Sequence, residues 1–100
     1  MILTDTHTHL YSEAFKADRD AVIERALKAG ISRFFLPAID ASYSESMYAL
    51  QRQYPLNIHL MAGLHPTHVK ENYKLELKHI SEALKNRKFV AIGEIGIDLY

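Results

Sequence analysis

Apolar and amphipathic runs alternate along this chain, and that alternation restricts it to a small set of folds. The first apolar run opens Ile2-Leu3-Thr4-Asp5-Thr6-His7-Thr8-His9. The next covers Arg33 to Pro37, followed by Ile58 to Ala62 and then Phe89 to Ile92. Helical spacing fills the gaps. Val22, Ile23, Ala26 and Leu27 form one stripe over about Arg19 to Ala29, and Gly30 stands where a C-terminal cap belongs. Ser42 and Glu45 have capping-box spacing ahead of a second helix that carries Met47 and Leu50 inward, and Pro55 stops it. Leu77, Ile80 and Leu84 predict a third helix over about Tyr73 to Leu84. Apolar strands separated by amphipathic helices make a parallel sheet with helices packed on it. The length of the repeat suits a β/α barrel or a doubly wound open sheet. About four parallel strands and three helices would leave sheet edges unpaired, so residues 1–100 are expected to be one part of a larger single domain.

Composition narrows the chemistry. With 48% hydrophobic and 24% charged residues the chain is ordinary globular material. A formal net charge of zero provides no basic field for nucleic acid and no polybasic tract for a membrane. The absence of cysteine excludes disulfides and thiolate ligands, so a metal site has to be built from histidine and carboxylate. No basic leader precedes the short N-terminal apolar run and no segment approaches a membrane span, so the expected location is cytoplasmic.

In a parallel βα repeat every strand ends at the same rim, and polar residues collect at these strand ends. His7 and His9 close the first strand on one side of it, a spacing that lets two imidazoles grip one divalent ion. With six histidines in 100 residues the pair alone also fits two solvated loop side chains. Glu94, between Gly93 and Gly96 in apolar surroundings, needs a cation or donors to remain charged and reads as a metal ligand. His65, in Gly63-Leu64-His65-Pro66, is a candidate third ligand, but a supporting or phosphate-contacting role suits its place better. Asp40 is read as the cap of the following helix, and Asp5 as an acceptor for a ligand imidazole. Asp98 is a weaker candidate for orienting the loop or touching substrate. His59, His68 and His79 are read as surface or packing residues.

Taken together, Asp5-Thr6-His7-Thr8-His9-Leu10, Gly63-Leu64-His65-Pro66 and Ala91-Ile92-Gly93-Glu94-Ile95-Gly96-Ile97-Asp98 resemble the successive signatures of the TatD family of metal-dependent deoxyribonucleases. The resemblance covers the whole chain, but only the first part of the usual family domain. It implies an α/β fold, the N-terminal part of a TIM-type (β/α)8 barrel, with a two-metal centre on the C-terminal rim. On this resemblance His7 and His9 match ligands of one ion, Glu94 matches the carboxylate that bridges both, and His65 matches a histidine near the substrate phosphate. The implied cofactors are two divalent ions (zinc, manganese or magnesium), and the implied partner is a DNA substrate. The family completes its site with two further histidines and an aspartate from later strands. No catalytic residue is therefore assigned here, the expected aspartate lying beyond Tyr100, and the segment alone is expected to be inactive.

Two other functions fit the same residues. A related amidohydrolase-type enzyme would act on amides, lactones or phosphotriesters, but many such enzymes bridge their metals with a modified lysine on strand four. Glu94 holds that strand end here, and Lys88 sits at the strand's start. A non-catalytic barrel fragment would bind metal weakly and turn nothing over.

Overall fold

The computed structural model describes residues 1–99. Its elements are β1 (Leu3–Asp5), α1 (Arg19–Lys28), β2 (Ile31–Pro37), α2 (Ser44–Gln53), β3 (Ile58–Ala62), α3 (Tyr73–Asn86) and β4 (Ala91–Ile92), with short 3-10 turns at Glu13–Phe15, Ala41–Tyr43 and Pro66–His68. The strands form one sheet in the order β1-β2-β3-β4, each neighbouring pair parallel. Sequential parallel order with a helix after each of the first three strands is the half-barrel that the family resemblance implies, and it decides against the doubly wound sheet that the alternation left open.

The sheet's inner packing follows the period of a strand. Ile58, Leu60 and Ala62 alternate with half-buried neighbours along β3, and in β2 buried Phe34 and Leu36 flank half-buried Phe35. Ile23 of α1 and Met47, Tyr48 and Leu50 of α2 close over them, joined by Leu10 and Tyr11 from the loop after β1. Fully burying a side chain such as Leu36 or Ile58 is worth about 1.5–3 kcal/mol, so this cluster dominates the fold's stability. Gly30 ends α1 at φ 104°, a left-handed position where a Cβ would also crowd the Met1 carbonyl oxygen.

Four local expectations change. First, β1 stops at Asp5, so His7 and His9 lie beyond the strand rather than on it. Thr8 N–H still donates to the Phe35 carbonyl (3.1 Å), which keeps the segment alongside β2 as it climbs to the rim. Second, the Ser42/Glu45 capping box does not form. Asp40 accepts from Ser42 N–H (2.9 Å) and opens a 3-10 turn, and α2 begins only at Ser44. The aspartate caps the turn that leads into α2, whose own N-cap residue, Tyr43, makes no side-chain cap bond. Third, β4 is reduced to Ala91–Ile92, although Val90 N–H also bonds the Leu60 carbonyl (2.9 Å). Finally, α3 runs on to Asn86 and buries none of its residues fully; Leu77 is 53% exposed and Leu84 42%. Beside it lies an open apolar cavity of about 320 Å³ between Leu64, Val69, Tyr73, Leu77, Ile92 and Ile95. No helix among the described residues is long and apolar enough to cross a membrane.

Candidate metal centre

Register decides which residues meet at the rim. Asp5 lies level with Phe34, Pro37 with Met61, and Met61 with Ala91, so the chain beyond β1 must continue past Asp5 to reach the height where β2, β3 and β4 end. His7 and His9 lie on that continuation, and Glu94 is the second residue after β4. The loop is pinned from below. Arg19, in the first turn of α1, donates from Nε to the Leu10 carbonyl (2.8 Å) and from Nη2 to the Tyr11 and Ser12 carbonyls (both 3.1 Å). Asp5 Oδ1 accepts from the His7 backbone N–H (3.2 Å), so it orients the main chain of a candidate ligand instead of its ring.

The three candidate ligands converge. His7 Nε2 lies 3.3 Å and His9 Nε2 3.5 Å from Glu94 Oε2. One ligand atom from each of His7, His9 and Glu94 falls within a 4.8 Å group. Tetrahedral ligands bonded at about 2.0–2.1 Å stand about 3.3–3.4 Å apart, so the spacing matches a shared ion better than direct hydrogen bonds. Glu94 Oε2 is buried and has no hydrogen-bond partner among the described residues. A buried carboxylate oxygen without a donor costs free energy that a cation would remove. Burial is the largest influence on His9 and holds it below its ordinary 6.5, outweighing the opposing attraction of Glu94; the ring is therefore neutral near pH 7, as a ligand must be. Glu94 also has φ 55°, a left-handed conformation uncommon outside glycine. Backbone strain of this kind persists where the surroundings enforce it, and it collects at functional sites. On each of these grounds the donor set fits a divalent ion.

Glycines set the carboxylate's approach. A Cβ on Gly63 would overlap the Gly93 carbonyl oxygen, so only glycine lets the segment carrying Glu94 cross so close to the end of β3.

His65 joins the group from the other side. Its Nδ1 accepts from Thr67 N–H (3.1 Å), which leaves the proton on Nε2, and Nε2 stands 2.8 Å from Glu94 Oε1. In this arrangement His65 donates to the carboxylate and steadies it. Asp40, which caps the Ala41–Tyr43 turn and not the following helix, also faces His68: His68 Nδ1 lies 2.7 Å from Asp40 Oδ2, and the His68 and His65 rings are 5.9 Å apart. Partial burial by itself would raise the Asp40 carboxyl, but hydrogen bonds from Ser42 and His68 outweigh it and hold the group below its usual range. His79 pairs with Ser44 Oγ (2.9 Å) and His59 stacks on Phe35 (5.2 Å), as packing histidines do, and Asp98 is exposed.

Sequence reasoning missed three contributors. Arg19 clamps the loop, His68 pairs with Asp40, and Tyr11 places its hydroxyl between His9 Nδ1 (2.9 Å) and the Pro37 carbonyl (2.5 Å). Only Tyr11 left a local trace, since it continues the period-two spacing of His7 and His9.

The TatD related DNase family model matches residues 4–100. The chain is 35% identical over 98 residues to the uncharacterized metal-dependent hydrolase YjjV of Escherichia coli K12, covering 96% of this chain and 38% of the relative. It is 35% identical over 94 residues to the 3'-5' ssDNA/RNA exonuclease TatD of Erwinia tasmaniensis, covering 94% of this chain and 36% of that protein. The crystal structure of YjjV, a TatD homologue from Escherichia coli K12, superposes with a TM-score of 0.85 at 34% identity, across 98% of this chain and 38% of that one. The chain thus spans between 36% and 38% of the length of these relatives. Its half-barrel corresponds to the N-terminal part of a TIM barrel, and the chain belongs to the TatD-related DNase family.

Proposed function

We propose that this chain supplies the first half of the active centre of a divalent-metal-dependent nuclease that cleaves DNA phosphodiester bonds. The carrying observation is the approach of His7 Nε2 and His9 Nε2 to an unpartnered, buried Glu94 Oε2. In this reading His7 and His9 would hold one ion, and Glu94 would be shared between it and a second. Divalent ions there supply a water of lowered pKa and a positive charge opposite the phosphoryl oxygens. The protein's own share is positional. Arg19 fixes the loop bearing His9, Gly63 admits the Glu94 segment, and His65 steadies the carboxylate, a contact with the substrate phosphate being the role the family resemblance implies for it. Histidine with carboxylate suits zinc or manganese, and magnesium with more water ligands. Local groups rather than bulk charge would hold the nucleic acid, consistent with a net charge of zero.

Relatives named as 3'-5' ssDNA/RNA exonucleases support this substrate class, whereas YjjV is named only as a metal-dependent hydrolase. The remaining ligands and the proton-handling aspartate would come from later strands, so residues 1–100 alone are inactive and the cytoplasm is the proposed setting. The test extends the chain through the later strands of its relatives and compares it with its Glu94→Ala form. The proposal expects about two ions per molecule and DNA cleavage only with Glu94 intact. Metal uptake with hydrolysis of esters or amides, and none of DNA, would instead support the amidohydrolase reading.

A further inference from the structure

A ligand imidazole is useful only if the nitrogen facing the metal carries a lone pair, and which nitrogen carries the proton is set by what the other one touches. His9 is unusual here because its partner's own hydrogen is already committed. Tyr11 is fully buried, and its hydroxyl has one hydrogen to give. The Pro37 carbonyl, 2.5 Å away, is purely an acceptor, so that hydrogen is spent on it. Toward His9 Nδ1, at 2.9 Å, the phenol oxygen can then only accept. His9 Nδ1 must therefore be the donor, and Nε2, on the Glu94 side of the ring, is left with its lone pair.

We propose that Tyr11 is a positioning residue that locks His9 in its Nδ1–H form and so presents Nε2 to a divalent cation. The inference rests on the metal-centre reading for its purpose, though not for its geometry. The lock is set by folding. Pro37 is the last residue of β2 and Tyr11 belongs to the buried cluster, so the tautomer is fixed once β2 and the loop after β1 pack together. Ligand imidazoles usually donate directly to a carboxylate, a backbone carbonyl or water; here a phenol stands between the ring and the carbonyl.

The test reads the ring nitrogens directly. In the metal-free chain, the ¹⁵N shifts and long-range ¹H–¹⁵N couplings of His9 should show Nδ1 protonated and Nε2 bare. Tyr11→Phe keeps the buried ring and removes only the hydroxyl. It should populate the Nε2–H form and weaken zinc binding by about 10–100-fold, the usual cost of losing such an outer partner. An Nε2–H tautomer in the native chain overturns the inference without any variant. So does a folded Tyr11→Phe chain with unchanged nitrogen shifts and unchanged zinc affinity. A native chain that shows the Nδ1–H form but takes up no zinc overturns the metal reading instead, and the metal-free spectra keep the two failures apart.

Discussion

His7 and His9 rise from a part of the molecule that, among the described residues, holds all the buried apolar side chains, and Glu94 from a part that holds none. Among the described residues, the core runs from Leu10 to Ala62. Beyond it α3 buries no residue fully, and β4 is two residues long. The later part is attached mainly through individual contacts. Glu76 Oε2 accepts from Ala41 N–H (2.9 Å), Arg87 lies 3.6 Å over the Tyr48 ring, and Phe89 meets Tyr48 edge-on. Folding thus presets the imidazoles with core packing, while the carboxylate is delivered by a lightly held strand. An ion gripped by all three ligands would join the two parts and add its binding energy to the weaker one.

The contrast can be broken most directly by the same truncation in each part. Leu36→Ala, in the fully buried centre of β2, should cost about 2–5 kcal/mol in urea unfolding, a large share of the about 5–15 kcal/mol that holds a domain together. A smaller effect is expected at the junction. Gly63→Ala forces the Gly93 backbone away and should cost about 1–3 kcal/mol, with zinc affinity falling while far-UV circular dichroism is retained. Unchanged zinc affinity would mean that Glu94 does not depend on that close approach.

The acid response of the preset part is smaller still and has a definite sign. His9 in the fold titrates below its ordinary 6.5, chiefly because of burial. As pH falls below 6.5 the unfolded chain takes up a proton that folded His9 refuses, so stability declines until the folded ring protonates as well. Urea midpoints of the metal-free chain between pH 7.5 and 5.5 should fall more steeply than those of His9→Gln. The smallest effect belongs to Leu77→Ala, half exposed on α3, which should stay within about 0.5 kcal/mol of the native chain. A loss there equal to that of Leu36→Ala would erase the distinction between the two parts.

Much of this was legible in the residues because it depends on local periodicity. Apolar runs around Phe34-Leu36 and Ile58-Ala62, the stripe through Ile23, and Gly30 each carry their own signal; their order gives a parallel α/β sheet, and the family resemblance makes it a half-barrel. The His7, His9 and Glu94 grouping could be anticipated because parallel strands end on one rim. Long-range choices could not. Whether Asp40 or Ser42 caps the turn before α2 depends on competing acceptors two residues apart. Where β1 stops depends on its register against β2, and Tyr11 gains its role only through a carbonyl 26 residues away. The stripe of α3 announced the helix by its period, yet among the described residues its leucines stay largely open.

The central claim is that His7, His9 and Glu94 form one cation-binding unit, and calorimetric titration of zinc into this chain beside Glu94→Gln tests it most directly. The glutamine keeps the size of the side chain and an oxygen for His65, removes the charge, and puts an NH2 donor in place of the second oxygen. The account predicts saturable binding to the native chain and its loss in Glu94→Gln. Equal binding by both, or by neither, would contradict it.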